Sequence, residues 1–108
     1  MEKELIELIE LIEDNGVALN NKEEVERSLR DSLADNRFRF IEDNGKRIGF
    51  FTWVNKAAGV FINNLLIYKG YRGFNLLRLR KFFPNVKLFY WKNRKKQVYI
   101  QRRNLCLH

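Results

Sequence analysis

The sequence predicts a single α+β domain, and three observations carry that reading. Residues 1–35 hold two stretches of helical apolar period, the period changes at Asn36 to the alternation of strands, and a last helical stretch lies between strands further on. At 108 residues there is room for one core that buries about two-thirds of the unfolded surface. Residues 1–108 are therefore read as one domain, with an acidic helical part at 1–35 and a basic sheet-and-helix part at 36–108.

In the first element, "ELIELIELIE", Leu5, Ile6, Leu8, Ile9, Leu11 and Ile12 fall on a broad helical arc, and Asn15-Gly16 supplies the stop. The triplet rhythm lacks a sustained heptad, so packing on the domain's own sheet is the expectation rather than self-association. In "NNKEEVERSLRDSL", Asn21 is an N-cap with Glu24 three residues on, and Val25, Leu29 and Leu33 follow on one face.

Strands come next. "RFRFIED" alternates Phe38 and Phe40 with Arg37 and Arg39, and Asn44-Gly45 before "KRIGFFTWV" is the strongest short hairpin signal in the chain. "NKAAG" reads as a second turn and "VFINNLLIY" as a third strand, whose adjacent Asn63 and Asn64 point to a bulge or an open edge. "GFNLLRLRKFF" is expected to be helical until Pro84-Asn85 stops it. "VKLFYW" and "QVYIQRR" then form two strands around the basic turn "KNRKK". The expected order is two helices, an antiparallel meander of three strands, a helix and two strands, with a right-handed final crossover.

Charge is distributed unevenly. Residues 1–35 carry four basic and eleven acidic side chains, a net −7, whereas residues 36–108 carry seventeen and two, a net +15. A field of that size attracts polyanions: nucleic acid, anionic membranes or phosphate-bearing cofactors. No apolar run is long enough to span a bilayer, and the N-terminus lacks the pattern of a secretory signal. Cys106 and His108 are too few for a disulfide or a metal site, so a metal-free cytoplasmic protein is the expectation.

The stretch "LLIYKGYRGFNLLRLRKFF" raises the functional question. A strand that feeds a helix through Gly70 and Gly73 gathers unpaired backbone N–H groups, with Lys69 and Arg72 to add charge, and so forms a seat for phosphate. An ordinary strand-to-helix turn uses glycine in the same way for its backbone angles.

Residues 37–91 resemble the central part of the GNAT family of N-acetyltransferases. In that family two helices precede an antiparallel meander, and a strand-turn-helix element holds the pyrophosphate of acetyl-CoA with backbone amides. "VFINNLLIYKGYRGFNLLRLRKFF" is similar to that element, and Arg72 matches the first position of the family's Arg/Gln-x-x-Gly-x-Gly/Ala turn. Asn75 and Leu77 stand at its two small positions. The resemblance implies acyl-CoA-dependent N-acyl transfer to an amine acceptor, with acetyl-CoA as co-substrate. It implies contact with pantetheine and pyrophosphate along the backbone of Leu66, Ile67, Tyr68, Lys69, Arg72, Gly73, Phe74, Asn75 and Leu76. Asn93 and Tyr99 have nearly the spacing of the family's thiolate-protonating pair, one residue short, in a stretch that reads as a strand.

From the residues themselves no catalytic group is assigned. Beyond residue 36 the only carboxylates are Glu42 and Asp43, beside the Asn44-Gly45 turn, and no Ser-His-Asp or Cys-His set is present. Tyr68, Tyr71, Tyr90 and Tyr99 remain as proton donors, and each also reads as a core or sheet-end residue. The alternative class is a reduced or non-catalytic scaffold that binds nucleic acid or a protein. Its residues are Lys87, Lys92, Arg94, Lys95, Lys96, Arg102 and Arg103, interleaved with Phe89, Tyr90, Trp91 and Tyr99. Basic edge strands also protect sheets from aggregation, and no named recognition motif is present.

Overall fold

A computed structural model describes residues 2–57, 59–92 and 98–102, the last of these as backbone. Two helices, α1 (Glu2–Asp14) and α2 (Lys22–Ala34), precede strands β1 (Phe38–Asp43), β2 (Lys46–Lys56) and β3 (Gly59–Ile67). A 3₁₀ segment (Leu76–Phe82) then leads to β4 (Leu88–Lys92) and β5 (Val98–Arg102). The five strands lie in the order β1-β2-β3-β4-β5, antiparallel except for the parallel pair β3 and β4. The chain is thus α+β with a mixed sheet. No helix among the described residues is long and apolar enough to cross a membrane.

The local signals act where the sequence places them. The Asn21 side chain accepts from the Glu24 N–H at 3.3 Å while its amide donates to the Glu24 carboxylate at 2.7 Å, a reciprocal cap on α2. Asn44 and Gly45 take φ of 53° and 78°, the left-handed pair that matches the twist of a tight hairpin. Gly16, at φ 77°, ends α1.

Both faces of the sheet are covered, which is why β2 is buried without a break from Ile48 to Trp53. On one face, Leu5, Leu8, Ile9 and Ile12 of α1 and Leu29 of α2 close over Phe50 and Leu66. On the other, Leu79 and Phe83 pack with Phe51, Trp53, Ile62 and Phe89. Full burial of each such side chain contributes roughly 1.5–3 kcal/mol, so these two clusters hold the domain together.

The segment after the turn departs from the expected α-helix. It is a 3₁₀ run that starts at Leu76, not at Gly73, and its apolar residues Leu76, Leu79 and Phe82 recur every third position. Three residues per turn stacks such side chains in one line against the sheet. Asn75 caps it by accepting from the Leu77 N–H at 3.0 Å, and it ends before Pro84.

Candidate functional site

The parallel ladder between β3 and β4 is short. It joins Val60 to Phe89, Phe61 to Tyr90 and Ile62 to Trp91, whereas β3 continues against β2 as far as Ile67. Where β4 ends its pairing, a cleft of about 510 Å³ opens beside Asn63, Asn64, Leu65 and Leu66. Its walls come from both layers: Ile12 and Val25 from the helical face, Leu76 and Leu79 from the 3₁₀ segment, and Phe89 and Trp91 from β4. An apolar opening with a few convergent polar groups is the usual form of a ligand site.

A bulge shapes this opening. Thr52 opposes Asn64 and Trp53 opposes Ile62, so Asn63 is the extra residue of β3. One added residue reverses the alternation of side chains, and accordingly Val60 and Ile62 face the 3₁₀ layer while Leu66 faces the helices. The sequence signal of two adjacent asparagines in an apolar strand is therefore a bulge.

Four neutral polar side chains hold the bulge. The Thr52 hydroxyl donates to Asn63 Oδ1 at 2.6 Å and accepts from Asn64 Nδ2 at 2.9 Å. Ser28 Oγ, reaching from α2, accepts from Asn63 Nδ2 at 3.1 Å and from Asn64 Nδ2 at 2.7 Å. Thr52 is fully buried, so these bonds replace those lost to water. Sequence reasoning did not select Ser28 and Thr52. Their signals are a lone hydroxyl in the apolar run "FFTWV" and a serine beside Leu29 on the buried face of α2.

The residues expected to hold a coenzyme, with Gly70 and Tyr71 of the same turn, divide into three groups. Leu66 and Leu76 line the cleft. Ile67, Phe74 and Tyr71 are half-buried against the 3₁₀-side core, and Tyr68 against the helical core, where burial raises its phenol above the ordinary tyrosine range while the charge of Arg47 partly offsets this. Lys69, Gly70, Arg72, Gly73 and Asn75 are exposed.

The turn is built differently from a helix N-terminus at its glycines. The Arg72 guanidinium donates to the carbonyls of Ile67 and Asn15, and the Lys69 N–H donates to Asn15 Oδ1 at 2.9 Å. Tyr71 and Phe74 donate their N–H groups to the carbonyls of Tyr68 and Tyr71. The main-chain N–H groups of Gly70, Arg72, Gly73 and Asn75 make no bond among the described residues. Nothing approaches within 4 Å of the space a side chain at Gly73 would fill.

Carboxylates stand away from the cleft. Asp43 is paired with Arg78 at 3.4 Å, Glu13 with Lys22 at 3.6 Å, and Glu2 with Arg30 at 3.1 Å, while Glu42 is exposed. The acidic residues of the two helices thus act as solvated faces and ion-pair partners rather than as a lining.

The basic hairpin is placed only in part. Arg94, Lys95, Lys96, Asn93 and Arg103 lie outside the described residues, as do Cys106 and His108, and Tyr99 and Arg102 are described as strand backbone alone. Phe89 is fully buried, which removes it from the expected row of stacking aromatics. Tyr90 packs on Phe61 with ring centres 5.0 Å apart, and Trp91 packs on Phe89 at 5.5 Å. Lys92 is exposed and lines the cleft, with its ammonium over the ring of Phe61 at 5.9 Å. Compared with family models, curated proteins and solved structures, the chain matches none.

Proposed function

We propose that the chain is a small GNAT-like domain that binds an acyl-CoA thioester, acetyl-CoA in the first instance, and transfers its acyl group to an amine. The observation that carries this reading is the parting of β3 from β4 over the cleft. Three residues of β3, Asn64, Leu65 and Leu66, pair with β2 on one side and border the opening on the other, a strand edge of roughly 10 Å. An extended arm that carries amides and ends in a thioester suits such an edge, because main-chain groups supply hydrogen bonds and the walls supply apolar contact.

The order of elements supports the same reading: two helices, an antiparallel meander, then a parallel partner reached through a short helical segment. At the turn, the unbonded N–H groups of Gly70, Arg72, Gly73 and Asn75 and the ammonium of Lys69 are donors for pyrophosphate. Leu66 and Leu76 then contact the pantetheine arm. Chemistry proceeds by direct attack of the amine on the thioester carbonyl, accelerated by positioning and by N–H groups near the developing oxyanion.

Calorimetric titration of the full chain with acetyl-CoA and with free CoA tests this. One-site binding is expected. Leu65→Trp, which fills the cleft, removes it; Gly73→Val, which meets open space, weakens only the part due to the turn. Absence of binding by a folded sample sinks the proposal.

A further inference from the structure

No Asp or Glu lines the cleft, and all thirteen of the chain's carboxylate side chains lie among the described residues. Among the described residues Lys92 is the only charged one in the lining. The acidic groups next in sequence to the lining are engaged elsewhere: Glu13 pairs with Lys22, Glu24 accepts from Asn21, and Glu26 lines a separate depression between α1 and α2. An ammonium that entered would exchange its hydration for apolar walls, would meet no counter-charge and would feel the repulsion of Lys92. A neutral amine needs no counter-charge, feels no such repulsion and gives up far less hydration.

The cleft does offer a side-chain acceptor. Both hydrogens of Asn64 Nδ2 are used, on Ser28 and Thr52, which fixes the orientation of the carboxamide. Among the described residues Asn64 Oδ1 receives no bond and no buried side-chain oxygen or nitrogen lacks a partner, so this oxygen is not buried, and Asn64 lines the cleft.

We propose that the acceptor is a weakly basic amine admitted as its free base, of the aromatic amine class that Phe50, Phe89 and Trp91 suit, with one N–H donated to Asn64 Oδ1. This rests on the acyl-transfer reading of the cleft. The nitrogen lone pair forms the C–N bond at the thioester carbonyl, and the C–S bond breaks with its electron pair on sulfur. One N–H proton leaves to water and the thiolate takes one from water, giving an amide and a free thiol. Asn64 is a positioning residue in this step, and no protein base takes part.

The test compares aniline, neutral at pH 7, with benzylamine, protonated at pH 7, as acceptors for the full chain saturated with acetyl-CoA; thiol release is followed from about pH 6 to about pH 9, and coenzyme binding is measured separately. Aniline is expected to be the faster acceptor at pH 7 with a flat profile, and benzylamine to accelerate about tenfold per pH unit as its free base accumulates. Asn64→Asp, which keeps the shape and adds a carboxylate, should move the preference at least about tenfold toward benzylamine while acetyl-CoA still binds. Coenzyme binding together with preference for benzylamine at pH 7, with turnover of neither amine, or with an unchanged preference in Asn64→Asp overturns the inference and leaves coenzyme binding standing. Failure to bind acetyl-CoA overturns the acyl-transfer reading and this inference with it.

Discussion

Arg72 donates to the main-chain carbonyl of Asn15 at 2.7 Å and to that of Ile67 at 3.1 Å, so one guanidinium joins the C-terminal end of α1 to the end of β3. The last turn of α1 carries no basic residue of its own. A cation from a distant turn therefore meets the negative end of that helix and its orphan carbonyls.

Arg72→Ala is expected to lower stability by about 1 kcal/mol, a fall in melting temperature of roughly 4–8 °C for a domain of this size. Arg72→Lys keeps the charge and loses the fork, and should recover less than half of that. Thermal unfolding by circular dichroism reads both; an unchanged midpoint in Arg72→Ala would show that the tie carries no weight.

Gly49 is required by a close approach rather than by its backbone angles. A methyl group there would lie 2.1 Å from the carbonyl oxygen of Leu66 in the neighbouring strand. Gly49→Ala should destabilise by roughly 2–3 kcal/mol, because two paired backbones must separate to admit it. Gly73→Ala, which meets open space, should be near neutral in the same urea titration, and equal midpoints for the two variants would refute the packing argument.

Thr52 is fully buried between Asn63 and Asn64. Thr52→Val strands a carboxamide oxygen and an N–H at once, at an expected cost of about 1–3 kcal/mol, whereas Thr52→Ser restores most of it. Denaturant midpoints decide. A valine variant as stable as the parent would mean that Ser28 alone suffices to hold the bulge.

Burial raises the Tyr68 phenol above 10.0, against the opposing charge of Arg47. The folded state then holds the proton more tightly than the unfolded chain. The contribution is complete below the unfolded value and is lost as pH rises through the folded one. Stability should thus decline above about pH 10 more steeply in the parent than in Tyr68→Phe. Melting temperatures of the pair between about pH 8 and about pH 11 test this, and parallel curves would rule it out.

Much of the architecture was legible in short windows of sequence. Asn21 with Glu24, the Asn44-Gly45 pair, the arc of α1 and the adjacent asparagines of β3 each specify structure through neighbours a few residues away. Such interactions are local, so the sequence displays both partners together. The charge asymmetry and the position of every carboxylate were equally plain.

Tertiary structure decided the rest. Leu76, Leu79 and Phe82 satisfy a helical pattern in isolation, and contact with the sheet turned that pattern into a 3₁₀ run. Lys69 and Arg72 read as cations for phosphate, yet the turn also binds Asn15 through the Lys69 backbone and the Arg72 guanidinium, a partner more than fifty residues away. The opening between β3 and β4, and the meeting of Ser28 and Thr52 with Asn63 and Asn64, depend on which strands pair and where that pairing stops. Long-range pairing is fixed by the burial of two faces at once, and no window of the sequence contains both faces.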